Sequence, residues 1–165
     1  MTENISDRIM ISKYTTLTGA EEDQRLDVQN SVLLHFDRDV YDNVFKEKVC
    51  PAILDVGCGT GNMMQKMLEG IASYKLIGVD KVERQIHIAE KTYTLGRFLT
   101  LDVEQEDFTS LIRPVMEEEG IDGFDVINCS MVVLHVQNPV GALSRLKTLL
   151  ASNGTVVGLG TILLP

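Results

Sequence analysis

The stretch Ile53-Leu54-Asp55-Val56-Gly57-Cys58-Gly59-Thr60-Gly61-Asn62 constrains this chain more than any other. An apolar run suited to a buried strand enters three glycines at alternate positions, and a helical pattern follows from Asn62. Glycine tolerates positive φ and lets another molecule approach the backbone closely, so such a loop turns sharply and stays open. The helix that follows starts with unpaired N–H groups and about half a positive charge. Strand, glycine loop and helix make one βα unit, and the rest of the chain must supply its neighbours.

Further buried strands are expected at residues 76–79, 98–101, 124–128 and 155–159, each an apolar run of strand length. Helical stretches lie between them at 62–69 and 82–91, and Phe108, Leu111, Ile112, Val115 and Met116 form an amphipathic face after the third strand. Pro114 sits inside that face and predicts a kink or a split there. Asn138-Pro139 reads as an N-cap and first helical position, with Leu143, Leu146, Leu149 and Leu150 as the buried stripe. Asn153-Gly154 is expected to close that helix and turn into the last strand. This alternation implies an α/β fold: a doubly wound, mostly parallel sheet with helices on both faces. Ligands of such sheets bind outside the carboxyl ends of the strands, where a nucleoside with a polar tail can lie across the glycine loop.

The 165 residues fit one domain. Within it, residues 1–48 are expected to form an N-terminal arm or lid and a helix, and 49–165 the ligand-binding part. Val28, Val32, Phe36, Val40 and Val44 recur every four residues, with Leu33 and Phe45 widening the stripe. The 24 acidic against 15 basic residues give a charge of −9, which disfavours a nucleic-acid partner. Cys50, Cys58 and Cys129 are too scattered for a disulfide framework and suit a reducing compartment. The polar start MTENISDR shows no secretory signal, and no apolar stretch is long enough to cross a bilayer, so a cytoplasmic protein without membrane contact is expected. No His, Cys or carboxylate spacing reads as a metal site.

A dinucleotide fingerprint needs G-x-G-x-x-G. Here the third glycine comes one position early and Asn62 takes its place, which counts against a nicotinamide-dependent oxidoreductase. Asp55-Val56-Gly57-Cys58-Gly59-Thr60-Gly61 instead resembles motif I of the class I S-adenosylmethionine-dependent methyltransferases. Leu76-Ile77-Gly78-Val79-Asp80 resembles that family's second strand, Leu101-Asp102-Val103 the segment after the third, and Phe124-Asp125-Val126-Ile127-Asn128-Cys129-Ser130 the fourth. The resemblance covers about residues 51–159.

The resemblance implies a Rossmann-like fold and S-adenosylmethionine as cofactor. It implies that Asp80, followed by Lys81, accepts both ribose hydroxyls. Asp102 would accept the adenine amino group, with Val103 giving an N–H and an apolar wall. Asp55, Gly57, Cys58, Gly59 and Gly61 would form the cofactor loop, with Asp55 orienting it by accepting backbone N–H groups. Asn128, Cys129 and Ser130 would meet the methionine portion, mainly through backbone. His135 is a candidate catalytic base, with packing or a local hydrogen bond as its other reading. His35 and His87 read as surface or satisfied residues, Cys58 as a small loop filler, and Met63, Met64 and Met67 as core. Tyr14 and Arg25 are candidate lid side chains. The sulfonium is an activated methyl donor, so proximity, alignment and exclusion of water are expected to carry catalysis toward a small-molecule acceptor.

The family's sheet has seven strands, ending in an antiparallel pair for which this chain has no room. Either the chain is a fragment or the domain is reduced. The fifth strand is then an open edge through which a homodimer is expected. A non-catalytic S-adenosylmethionine-binding or regulatory domain is the alternative function.

Overall fold

The computed structural model describes residues 48–158, together with Gln24, Arg25, Val28, Tyr41, Asp42, Val44, Phe45 and Lys46. Every residue of β1 (Ala52–Val56) is buried, as a strand covered on both faces requires. Its side chains alternate between two cores. Ala52, Leu54 and Val56 join one, and Ile53 joins the other. Four more strands complete the sheet: β2 (Lys75–Asp80), β3 (Arg97–Thr100), β4 (Phe124–Asn128) and β5 (Leu150–Val157). They lie in the order β3-β2-β1-β4-β5, and every pairing is parallel. The order reverses between β1 and β4, so the carboxyl ends of β1, β2 and β4 flank one crevice.

Helices cover both faces. The α1 (Asn62–Met67) and α2 (Glu83–Thr92) helices pack on one through Met63, Met64, Met67, Ile86 and Ala89, with Tyr41 and Phe45 from the N-terminal segment. The α3 (Phe108–Glu118) and α4 (Pro139–Lys147) helices pack on the other through Phe108, Ile112, Met116, Ala142 and Leu146. This is the doubly wound, Rossmann-like sheet expected from the sequence. No antiparallel strand pair occurs among the described residues. The methionines are core, as read.

Three local expectations are corrected. The α3 helix runs unbroken through Pro114. Pro114 is exposed, as is Ser110, whose carbonyl loses the residue-114 N–H, so the missing bond lies on the exposed side of the helix. The last helix ends at Lys147, not at Asn153-Gly154. Leu149 and Leu150 therefore lie beyond the helix, while Leu143 is 37% exposed. Asn153 and Gly154 belong to an irregular part of β5, where Leu150 to Thr155 opposes only Phe124 to Val126. Gly154 is needed because a Cβ there would run into the Phe124 carbonyl. The Asn138 cap is as expected, its Oδ1 accepting the Gly141 N–H at 2.9 Å.

Of the N-terminal readings, Tyr14, His35 and the arm before residue 24 lie outside the described residues, as does the segment from 159 onward. Arg25 is helical and exposed; of the predicted stripe, Phe45 is buried and Val44 half-buried, but Val28 is 64% exposed, so the stripe is not buried at its start. Among the described residues, no helix is long and apolar enough to cross a membrane.

Candidate functional site

The glycine loop leaves β1 and folds back onto β2. The N–H groups of Gly57 and Cys58 both donate to the Val79 carbonyl, at 2.7 and 3.0 Å. Gly57, Gly59 and Gly61 have φ of 68°, 55° and 78°, the left-handed region that disfavours any side chain. The loop is tightly held where it meets protein and open elsewhere. A Cβ on Gly57 would overlap Val132 Cγ2, whereas a Cβ on Gly59 would meet nothing within 4 Å. That open side is where a ligand can rest against the backbone.

Asp80 ends β2 directly beside this opening. Its Oδ2 accepts the Gly59 N–H at 2.9 Å, and its Oδ1 accepts the Val82 N–H at 2.9 Å. An ionised carboxylate has about four lone-pair sites, so each oxygen keeps room for another donor. Lys81 is exposed on the same edge. Across β2, the Leu101 N–H donates to the Asp80 carbonyl, which brings the segment after β3 alongside. There Asp102 is half-buried and accepts the Glu104 N–H at 3.0 Å through Oδ1, while Val103 is buried and lends an apolar wall.

Beneath the loop lies a buried polar network. Asp55 is 3% exposed, and its Oδ1 accepts from Asn128 Nδ2 at 2.6 Å. Asn128 Oδ1 in turn accepts the Ser130 N–H at 3.3 Å and the Ser130 hydroxyl at 2.8 Å. Burial pushes the Asp55 carboxyl from 3.8 up to about 7; the Asn128 bond holds it down in part, and the Asp80 charge raises it further. The glycine loop's amides go to Val79 and Asp80 instead. The expectation that Asp55 accepts loop N–H groups is therefore corrected: it acts on β4 through Asn128.

Asn128, Cys129 and Ser130 share the crevice, but their backbone donors are largely taken. The Cys129 N–H goes to Val157 and that of Ser130 to Asn128. Of their carbonyls, that of Cys129 accepts the Val132 N–H at 3.2 Å and keeps a second lone pair. Burial, then the Asp55 charge, pushes the Cys129 thiol up to about 11. Burial, with Asp55 and Asp80, holds the Cys58 thiol far above its ordinary range. Neither is a ready nucleophile at neutral pH. His135 is exposed in the turn after β4, its N–H bonded to Val132. His87 is exposed on α2.

The structure thus brings Asp55, Gly57, Cys58, Gly59, Gly61, Asp80, Asp102, Val103, Asn128 and Cys129 to one edge of the sheet. It adds two residues the sequence reading did not single out: Glu104 ties the segment after β3 to the turn before α4, and Arg145 ties it to α4 itself. Local pattern offers no signal for a pair 41 residues apart. Among the described residues, no group of three or more His, Cys, Asp or Glu is arranged to hold a metal ion. An open cavity of about 450 Å³ lies along α1, lined by Gln65, Lys66, Tyr74, Tyr93 and Leu95, and reaches the loop only through Asn62.

The residues present suit an adenosine ligand. The open backbone at Gly59, a half-buried carboxylate with spare lone pairs and a buried apolar wall at Val103 are what a flat base and a diol require. Comparisons with known proteins give the family. A family model described as a methyltransferase domain matches residues 48–158. A ubiquinone biosynthesis O-methyltransferase of Pasteurella multocida is 32% identical over 108 residues, which are 63% of this chain and 43% of that protein. A malonyl-[acyl-carrier protein] O-methyltransferase of Paenibacillus sp. is 28% identical over 151 residues, 88% of this chain and 51% of that protein. The solved structure of the plantazolicin methyltransferase BpumL in complex with SAH superposes with a TM-score of 0.65 at 21% identity, covering 88% of this chain and 54% of that one. This chain spans about half the length of the curated relatives it matches.

Proposed function

The chain belongs to the methyltransferase domain family, and from that premise we propose that it binds S-adenosylmethionine at the glycine-loop edge and transfers its methyl group to a small-molecule acceptor. The observation that carries this reading is the Asp80 carboxylate bonded to Gly59 beside the open backbone of the loop. In the proposal Asp80 takes the two ribose hydroxyls, each such bond to a charged group contributing about 1.5–3 kcal/mol. Asp102 accepts the adenine amino group and Val103 walls the base. The open side of Gly59 takes the polar tail, and the carbonyls around Asn128 and Cys129 face its amino group. When bound, the cofactor supplies an activated methyl on a sulfonium. The chain's own part is to hold that donor, align the acceptor and exclude water. No side chain has to form a covalent intermediate, which fits two cysteines held as thiols.

The remaining expectations stay within the same proposal. Residues 1–48 form the lid and helix over the site, the protein works in the cytoplasm, and two copies pair through the β5 edge. His135 is the candidate base, supported by its place in the turn after β4. Calorimetry with S-adenosylmethionine and S-adenosylhomocysteine tests the cofactor, and an acceptor screen reading S-adenosylhomocysteine release tests turnover. Binding without turnover across that screen would favour the non-catalytic alternative. No binding by a folded chain would end the proposal. Light scattering that finds a monomer at high concentration would remove the pairing.

A further inference from the structure

The turn between β4 and α4 is held at two places by other segments. At its start the Val132 side chain lies against Gly57, where a Cβ would collide with it. At its end the N–H groups of Gln137 and Asn138 both donate to Glu104 Oε1, at 2.7 and 3.1 Å. Glu104 is itself fixed: its N–H reaches Asp102 Oδ1 at 3.0 Å, and its carbonyl accepts Arg145 Nη2 at 3.2 Å. Arg145 Nε also reaches the Val103 carbonyl at 3.2 Å, so one planar guanidinium holds two successive carbonyls. The α4 helix does not need Glu104 for its own start, because Asn138 Oδ1 caps it at Gly141.

We propose that Glu104 is a positioning residue that locks residues 102–104 to the 131–138 turn, with Arg145 of α4 holding Glu104 in place through its carbonyl, so that filling the nucleoside end of the site orders the turn that follows β4. The inference rests on the cofactor reading above. Its physical basis is that a carboxylate bonded to backbone amides is among the stronger neutral-pH contacts available, and that the end of the turn is bonded to residues 102–104 through Glu104. A ligand that stiffens 102–104 lowers the entropy cost of ordering whatever is fastened to them.

Amide hydrogen exchange at Gln137 and Asn138, with and without S-adenosylhomocysteine, tests this on the full chain, on Glu104→Gln and on Glu104→Ala. Calorimetry runs in parallel. Glutamine keeps an oxygen acceptor and alanine does not. The expected result is that the ligand slows exchange at both amides at least about tenfold in the parent and in Glu104→Gln, and has no such effect in Glu104→Ala, which still binds it. Unchanged ligand-dependent protection in Glu104→Ala overturns the lock. A parent that binds the ligand with no change at these amides overturns the coupling. Both outcomes leave the cofactor reading standing, whereas a folded parent that binds nothing overturns the reading and the inference together. Should Glu104→Ala fail to fold, Glu104→Met, which fills the same space without an acceptor, serves the same comparison: loss of the ligand effect supports the lock and retention overturns it.

Discussion

Two aspartates at opposite ends of neighbouring strands show how the ends of this sheet differ. Asp125, near the amino end of β4, meets the Lys48 ammonium at 2.7 Å and the Ala52 N–H at 2.9 Å. Asp55, toward the carboxyl end of β1, meets no cation among the described residues, only the Asn128 amide. One end satisfies its charge and is finished. The other keeps a carboxylate whose pKa burial raises to about 7, under a loop of three glycines with positive φ. A carboxylate buried without a cation beside the expected ligand site costs stability that the Asp125–Lys48 pair does not. The amino end fastens the fold, and the carboxyl end is left open for chemistry.

The sharpest way to break this contrast is at Gly57. Gly57→Ala combines a positive φ with a collision against Val132, and is expected to cost about 2–5 kcal/mol of stability by denaturant titration. Gly59→Ala, with φ of 55° but open space around it, should cost only about 1–2 kcal/mol and show its larger effect in cofactor affinity. Equal losses of stability at the two positions would mean that the loop is not open on the Gly59 side.

The buried carboxylate comes next. Asp55 has a folded pKa above its ordinary 3.8, so the folded chain binds the extra proton between about pH 4 and 7. Stability therefore falls as pH rises through that window and levels off above it. Asp55→Asn removes the penalty while keeping an oxygen for Asn128, and is expected to gain about 2–4 kcal/mol at pH 8 and to flatten the pH profile. Parallel pH profiles for the two proteins, measured by urea unfolding, would contradict the assignment.

Asp80→Ala is expected to weaken S-adenosylhomocysteine binding about ten- to a hundredfold, the loss of about 1.5–3 kcal/mol. Asp80→Asn, which still accepts from Gly59, should retain more of the fold's stability than of the affinity. The smallest effect belongs to the amino end. Lys48 is about one-third exposed, so Lys48→Ala should cost under about 1 kcal/mol and leave cofactor affinity unchanged. A loss of affinity there would dissolve the distinction between the two ends.

Much of this was legible before any coordinates. Strand cores such as 53–56, 76–79 and 124–128 are short apolar runs, and a covered parallel sheet asks for nothing subtler. The glycine loop and Asp80 were legible because their chemistry is local: a turn needing positive φ, and a carboxylate at a strand end. Pro114 does not split its helix, because the packing of Phe108, Ile112 and Met116 on the sheet outweighs one backbone bond lost on the exposed side. Asn153-Gly154 misled because a glycine demanded by close approach of two strands looks the same in sequence as one demanded by a helix end.

By itself, then, the sequence determined the alternation of strands and helices, the glycine loop and the family likeness, since each depends on residues within a few positions of one another. Tertiary structure decided which distant groups meet. Asn128 reaches Asp55 across 73 positions and Glu104 reaches Gln137 across 33. Such pairings follow from strand order and register, and from the exclusion of water that makes each buried partner count. No local pattern carries that information.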